Sequence, residues 1–159
     1  MIMKRILVMA LCCATLLVGA AEETETEESD GGFYVGASAT LVLPQGGHSM
    51  RRLGGGTARF GLYLADAFAV EADAAWLENC AGLGVQGLWH FYGYERFDPF
   101  LTFGARGWIE GDVGPTAGLG AFYHLTDEWA LRLDADATFG LETQREMVYT
   151  IAIGVQYEF

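Results

Sequence analysis

The residues able to do chemistry in this chain of 159 residues are charged ones spaced two apart among apolar neighbours. Glu71 stands with Asp73, and Arg132 with Asp134 and Asp136, joined by the more isolated Arg59 and Arg106. A spacing of two brings side chains to one face only when the backbone is extended, so each set predicts a strand with a charged face. With that face turned inward, the chemistry is ion pairing, because a charge taken out of water needs a partner. Arg59, Arg106 and Arg132 are then set against Glu71, Asp73, Asp134, Asp136 and Glu158. A proton or ion pathway is the second use that such a set supports. Register alone suggests partners: a turn around Asp66 puts Arg59 opposite Asp73. A turn near Thr126 and Asp127 puts Asp134 and Asp136 across from Gly120 and Gly118, whose missing side chains leave space for Arg106 to reach both carboxylates.

Other reactive residues carry weaker signals. His48 and Ser49, with Asp112 further on, suggest a lipid-modifying hydrolase or acyltransferase, but a neighbouring His and Ser meet none of the positional demands of a nucleophile, base and orienting acid. No catalytic residue is therefore expected. His90 and His124 have no cysteine beside them and no H-x-x-x-H spacing, so neither a metal site nor a cofactor follows. The acidic run from Glu22 to Asp30 lacks the glycine turn and ligand order of a calcium loop. Cys12 and Cys13 fall in an apolar leader without the preceding small residue of a lipid-attachment site, which leaves Cys80 alone and no internal disulfide.

What must position the charges is a set of strands, and from Phe33 onward one parity stays apolar in segment after segment. Phe33, Val35, Ala37, Ala39, Leu41 and Leu43 alternate with Tyr34, Gly36, Ser38 and Thr40. Phe60, Leu62 and Leu64 alternate with Arg59, Gly61 and Tyr63, and Phe68, Val70, Ala72, Ala74 and Trp76 with Glu71 and Asp73. The pattern continues through Leu83 to Phe91, Leu101 to Ile109, Leu119 to Leu125 and Trp129 to Phe139. It ends in MVYTIAIGVQYEF, where Met147, Tyr149, Ile151, Ile153, Val155, Tyr157 and Phe159 share one face. The expected fold is all-β: an eight-stranded antiparallel up-and-down transmembrane β-barrel, apolar outside. Inward glycines (Gly36, Gly84, Gly104, Gly118, Gly120, Gly154) make room for long side chains opposite. Outer loops are expected at 44–56, 78–81, 109–114 and 140–146, and periplasmic turns at 65–67, 93–98 and 126–127. A soluble eight-stranded barrel with its apolar face inward is the rival. It needs dense charge on its outer face, whereas the polar parity here is thin, and aromatic residues crowd the strand ends as in a membrane-interface girdle.

Ahead of the strands, Lys4 and Arg5, the apolar run from Ile6 to Val18 and the small residues Gly19, Ala20 and Ala21 predict an export signal over 1–21, cleaved after Ala20 or Ala21. That run is too short to span a membrane as a helix. Residues 22–31 predict an acidic disordered tail, and 32–159 the barrel. The net charge is −12, and loss of Lys4 and Arg5 makes it −14 with only arginines as bases. This composition excludes a nucleic-acid partner, because no basic surface is available for phosphates.

The closing Tyr157, Glu158 and Phe159 resemble the terminal aromatic-x-Phe signature of bacterial outer-membrane β-barrels. The resemblance implies that Tyr157 and Phe159 are the assembly signal read by the barrel-assembly machinery. GFYVGASAT, DPFLTFGARGW and YHLTDEWALRLDADATFG are similar to segments of the outer-membrane protein A β-barrel family, over Gly32 to Phe159. The expected outer loops are shorter than that family's, and no peptidoglycan-binding domain is expected after Phe159, so cell-wall anchoring is not carried over. The expected location is the Gram-negative outer membrane, and the expected partners are its lipid and lipopolysaccharide, the latter near the Gly-rich loop with Arg51 and Arg52. A monomer with a structural, envelope-integrity or surface-interaction role is expected, with a narrow, porin-like gated pore as the alternative and a lipid-modifying enzyme as a remote one.

Overall fold

The computed structural model describes residues 32–45, 53–78, 80–91, 96–109, 113–140 and 147–159. The expected export signal and acidic tail lie outside the described residues, as do His48, Ser49, Arg51, Arg52 and Asp112. Alternating apolar and small or polar residues suit extended backbone, and each alternating segment forms a strand. These are β1 (Phe33–Gln45), β2 (Leu53–Ala65), β3 (Phe68–Leu77), β4 (Cys80–His90), β5 (Phe97–Trp108), β6 (Val113–His124), β7 (Trp129–Phe139) and β8 (Met147–Glu158). Each strand pairs with the next in antiparallel fashion and β8 pairs with β1, closing an up-and-down barrel. Closure leaves no free sheet edge, which is what a wall in lipid requires.

Going round the wall from Tyr34, the inter-strand partners are Gly61, Glu71, Gln86, Gly104, Thr116, Thr138 and Val148, and the path re-enters β1 at Pro44. That offset is the stagger of tilted strands in a narrow barrel, whose interior is just wide enough for side chains to fill. One parity of each strand faces out and is apolar: Phe60, Trp76, Leu83, Leu119, Leu133 and Ile153 are all exposed. At the end of the barrel where β1 begins and β8 finishes, outward aromatic rings gather. Phe33 stacks on Phe159 at 4.4 Å, and Trp129 and Tyr157 meet edge to face at 5.0 Å.

The first long loop is shorter than 44–56. β1 continues through Gln45 and β2 starts at Leu53. Gly54, Gly55 and Gly56 carry no side chain to reveal an alternation, yet a Cβ on Gly55 would lie 2.0 Å from the Trp76 carbonyl oxygen, so this backbone packs closely against β3. For the same reason of small, unpatterned ends, β4 starts at Cys80 and β6 at Val113, inside stretches expected as loops. β5 likewise starts at Phe97, taking in the last two residues of the expected 93–98 turn.

Candidate functional site: the charged belt of the lumen

The inward parity is layered along the barrel axis. At the end where β1 begins, Tyr34, Ala69, Leu88, Phe100, Phe122 and Ala130 form an apolar cluster with Tyr63 packed against it. Towards the opposite end, Val42, Ala75, Leu77 and Trp108 form a second one. Between them lies a belt of buried charge made by Arg59, Glu71, Asp73, Arg106, Arg132, Asp134 and Asp136.

Backbone register sets Arg59 across from Asp73, and Gly118 and Gly120 across from Asp136 and Asp134. Of the pairs expected from register, Arg106 with Asp136 forms and the others do not. Arg59 does not engage Asp73; its Nη2 donates to Asp134 Oδ2 at 3.1 Å, its Nε lies 3.4 Å from Glu71 Oε1, and its Nη1 donates to the Ser38 hydroxyl. Asp73 instead accepts from Arg106 Nη2 at 3.1 Å, and Arg106 Nη1 donates to Asp136 Oδ1 at 2.6 Å. Asp134 is taken by Arg59 and by Arg132 Nε at 2.7 Å, not by Arg106. The physical reason is length: residues directly opposite in a sheet have Cβ atoms about 5 Å apart, so a long guanidinium stem overshoots a short aspartate on the neighbouring strand and reaches across the lumen.

The belt therefore divides in two. Arg59 and Arg132 each hold both Glu71 and Asp134, a closed ring of two cations and two anions. Arg106 holds Asp73 and Asp136. Glu71 is the hub of the ring: it is fully buried, paired with Arg132 Nη1 and Nη2, and also accepts from the Tyr34 hydroxyl at 2.9 Å and Gln86 Nε2 at 2.8 Å. The Arg132 guanidinium lies 5.1 Å from the Phe100 ring centre and 5.3 Å from that of Phe122, so its faces meet π-electrons while its edges meet carboxylates.

Glycines make the space. A Cβ on Gly84 would come within 2.3 Å of Asp73 Oδ2, and one on Gly118 within 2.6 Å of Asp136 Cβ. The room at Gly120 is filled by the Phe100 ring, 2.4 Å from where a Cβ would stand, rather than by Arg106. Tyr34, Gln86, Phe100 and Phe122 were not singled out from sequence as partners of the belt. Parity alone carries the signal for them: Phe100 is separated from the inward Arg106 by an even number of residues, and Phe122 from the inward Gly118.

Glu158 sits apart from the belt, half-buried, accepting from the Tyr63 hydroxyl at 3.1 Å and from Gln156 Nε2 at 3.0 Å. Beside it in the same third of the barrel, His90 Nδ1 and Asp98 Oδ2 are 2.5 Å apart, and the His90 ring stacks on Phe122. His124 packs its ring against Phe122. Half-buried Cys80 directs its Sγ at the Ile109 carbonyl, 3.5 Å away. Among the described residues no three His, Cys, Asp or Glu side chains converge in a way that could hold a metal ion. Tyr157 and Phe159 lie on the outer wall with their rings 4.8 Å apart. The arrangement can neutralise charge and brace the wall from inside; most guanidinium donors meet carboxylates, Arg59 Nη1 meets Ser38, and the Nε atoms of Arg59 and Arg106 are buried without a hydrogen-bond acceptor.

No family model matches the sequence, and no curated protein matches it. Solved structures do match in fold. A de novo designed transmembrane β-barrel superposes with a TM-score of 0.65 at 16% identity, covering 84% of this chain and all of the design. The N-terminal β-barrel domain of Pseudomonas aeruginosa OprF gives 0.60 at 17% identity over 79% of this chain and 97% of that domain. Neisserial surface protein A gives 0.61 at 15% identity, over 80% and 97%. Identities this low speak for architecture alone, and the architecture is that of the small eight-stranded transmembrane barrels.

Proposed function

We propose that this protein resides in the outer membrane as a small, plugged barrel with a structural, envelope-integrity or surface-interaction role. The observation that carries the reading is the inversion of polarity: an apolar outer wall on every strand around an interior filled by paired charge between two apolar clusters. An outer wall of this kind is stable against lipid and unstable in water. A filled lumen leaves no wide aqueous path, so general diffusion is not its work. On this reading its partners are outer-membrane lipid and lipopolysaccharide, with Tyr157 and Phe159 presented to the barrel-assembly machinery, and it acts as a monomer with no catalytic activity.

The test compares a deletion strain with strains in which residues 46–52 are shortened or 22–30 removed. Increased detergent sensitivity in the deletion strain, restored by the parent gene, supports the structural role, and loss of restoration by the shortened loop places surface contacts there. Unchanged integrity with lost uptake of one solute class sinks it.

A narrow gated pore is favoured by one observation: each guanidinium already bridges carboxylates on two strands, so partners can exchange without any charge becoming bare. Brief openings in planar bilayers, altered by Arg106→Gln, support that reading. A lipid-composition change that depends on His48 supports the enzyme instead.

A further inference from the structure

The two halves of the belt are not alike in charge. The ring is balanced, with Arg59 and Arg132 against Glu71 and Asp134. The corner is not: the single guanidinium of Arg106 faces two carboxylates, Asp73 and Asp136. All seven side chains are more than nine-tenths buried. No lysine occurs after Lys4, Arg96 is exposed, and Arg51, Arg52 and Arg145 lie outside the described residues. Among the described residues, then, the belt holds three cations and four anions. A surplus buried carboxylate is costly, and the least costly remedy for two carboxylates at one site is to share a proton.

A second observation points to the same corner. Asp73 Oδ1 is buried and has no hydrogen-bond donor, although its Oδ2 accepts from Arg106. Gln86 Oε1, diagonally across the β3–β4 pair, is a buried acceptor without a donor too. In the ring, by contrast, both oxygens of Glu71 and both of Asp134 receive donors. Asp136 Oδ1 is served by Arg106 and, at 3.3 Å, by the Thr116 hydroxyl. Other groups around the corner are Arg59 on β2, Glu71 on β3, Asp134 and Thr138 on β7, and Thr150, which is register-paired with Asp136, on β8.

We propose that the Asp73–Arg106–Asp136 corner is a proton-binding site: the folded barrel holds one proton, taken from solvent and shared by the two aspartates, so that three anions face three cations. With the proton in place the corner carries no net charge, and without it one carboxylate is left unbalanced in the lumen.

Infrared spectroscopy of the whole folded protein in detergent micelles at neutral pH tests this directly. The expected result is the carbonyl stretch of one neutral carboxylic acid, shifted by ¹³C-aspartate but not by ¹³C-glutamate, and missing from both Asp73→Asn and Asp136→Asn. Refolding in weak buffer near neutral pH should take up one proton more for the parent than for Asp73→Asn. Absence of a neutral-acid band in the parent overturns the proposal, as does a band that survives both substitutions or responds to ¹³C-glutamate. Stability that rises with sodium or potassium but not with N-methylglucamine at the same ionic strength, with no neutral-acid band, assigns the surplus charge to an alkali cation and also overturns it. The isotope result needs only the parent, so a variant that fails to fold leaves the question decidable.

Discussion

Arg132 shows how one side chain can be made indispensable by position alone. It is almost fully buried, bonded to Glu71 and Asp134, and lies against two aromatic rings. Arg132→Ala leaves Glu71 and Asp134 to share the single guanidinium of Arg59 in a dry interior, so unfolding in urea from micelles should show a loss of about 3–5 kcal/mol. An unchanged midpoint would mean that solvent reaches the belt freely. Tyr34→Phe removes one of several donors to Glu71 without changing charge, and its cost should be near 1 kcal/mol, the net worth of an ordinary hydrogen bond. The contrast between the two variants separates charge compensation from hydrogen bonding at the same carboxylate.

At the scale of the strand, glycines divide by what faces them. A Cβ on Gly120 would meet Phe100 Cζ at 2.4 Å and the Leu133 carbonyl oxygen at 2.7 Å, whereas one on Gly54 would meet nothing within 4 Å. Gly120→Ala should therefore destabilise by about 1–3 kcal/mol through overpacking. Gly54→Ala should be neutral or stabilise by up to about 1 kcal/mol, by restricting the unfolded chain. Thermal or urea unfolding that ranks the two in the opposite order would contradict the packing described for β6. The strands themselves were legible in the sequence because lipid on one side and a filled lumen on the other impose strict parity, as in Phe68 to Trp76. Strand ends were less legible: Gly54 to Gly56 carry no side chain in which parity could register. Partner choice was illegible for a different reason. Register fixes backbones, as it does for Arg59 and Asp73, but the reach of a guanidinium across a staggered barrel depends on closure of all eight strands. Phe100 and Phe122 were overlooked because an inward aromatic between outward apolar neighbours looks like more outer wall.

For the whole molecule, the outer wall is the decisive surface. Ile153, at the middle of β8 and 64% exposed, faces outward with nothing but apolar neighbours on its face of the strand. Ile153→Arg should cost about 2–4 kcal/mol in lipid, and folding into vesicles followed by heat-dependent gel mobility reads this as a lower conversion temperature. A variant that folds as well as the parent would place that face in water. The closed interior should also appear in planar bilayers as the absence of large steady conductance, and a wide, constantly open current would refute the plug.

The ring of ion pairs has one more implication, which concerns the order of assembly. Its contacts join residues far apart along the chain, Arg59 to Asp134 across 75 positions and Arg132 to Glu71 across 61. No single hairpin contains a completed ring. A partly inserted sheet would have to carry bare guanidiniums and carboxylates beside lipid, so intermediates with some strands across the membrane are penalised and insertion is driven towards one concerted event.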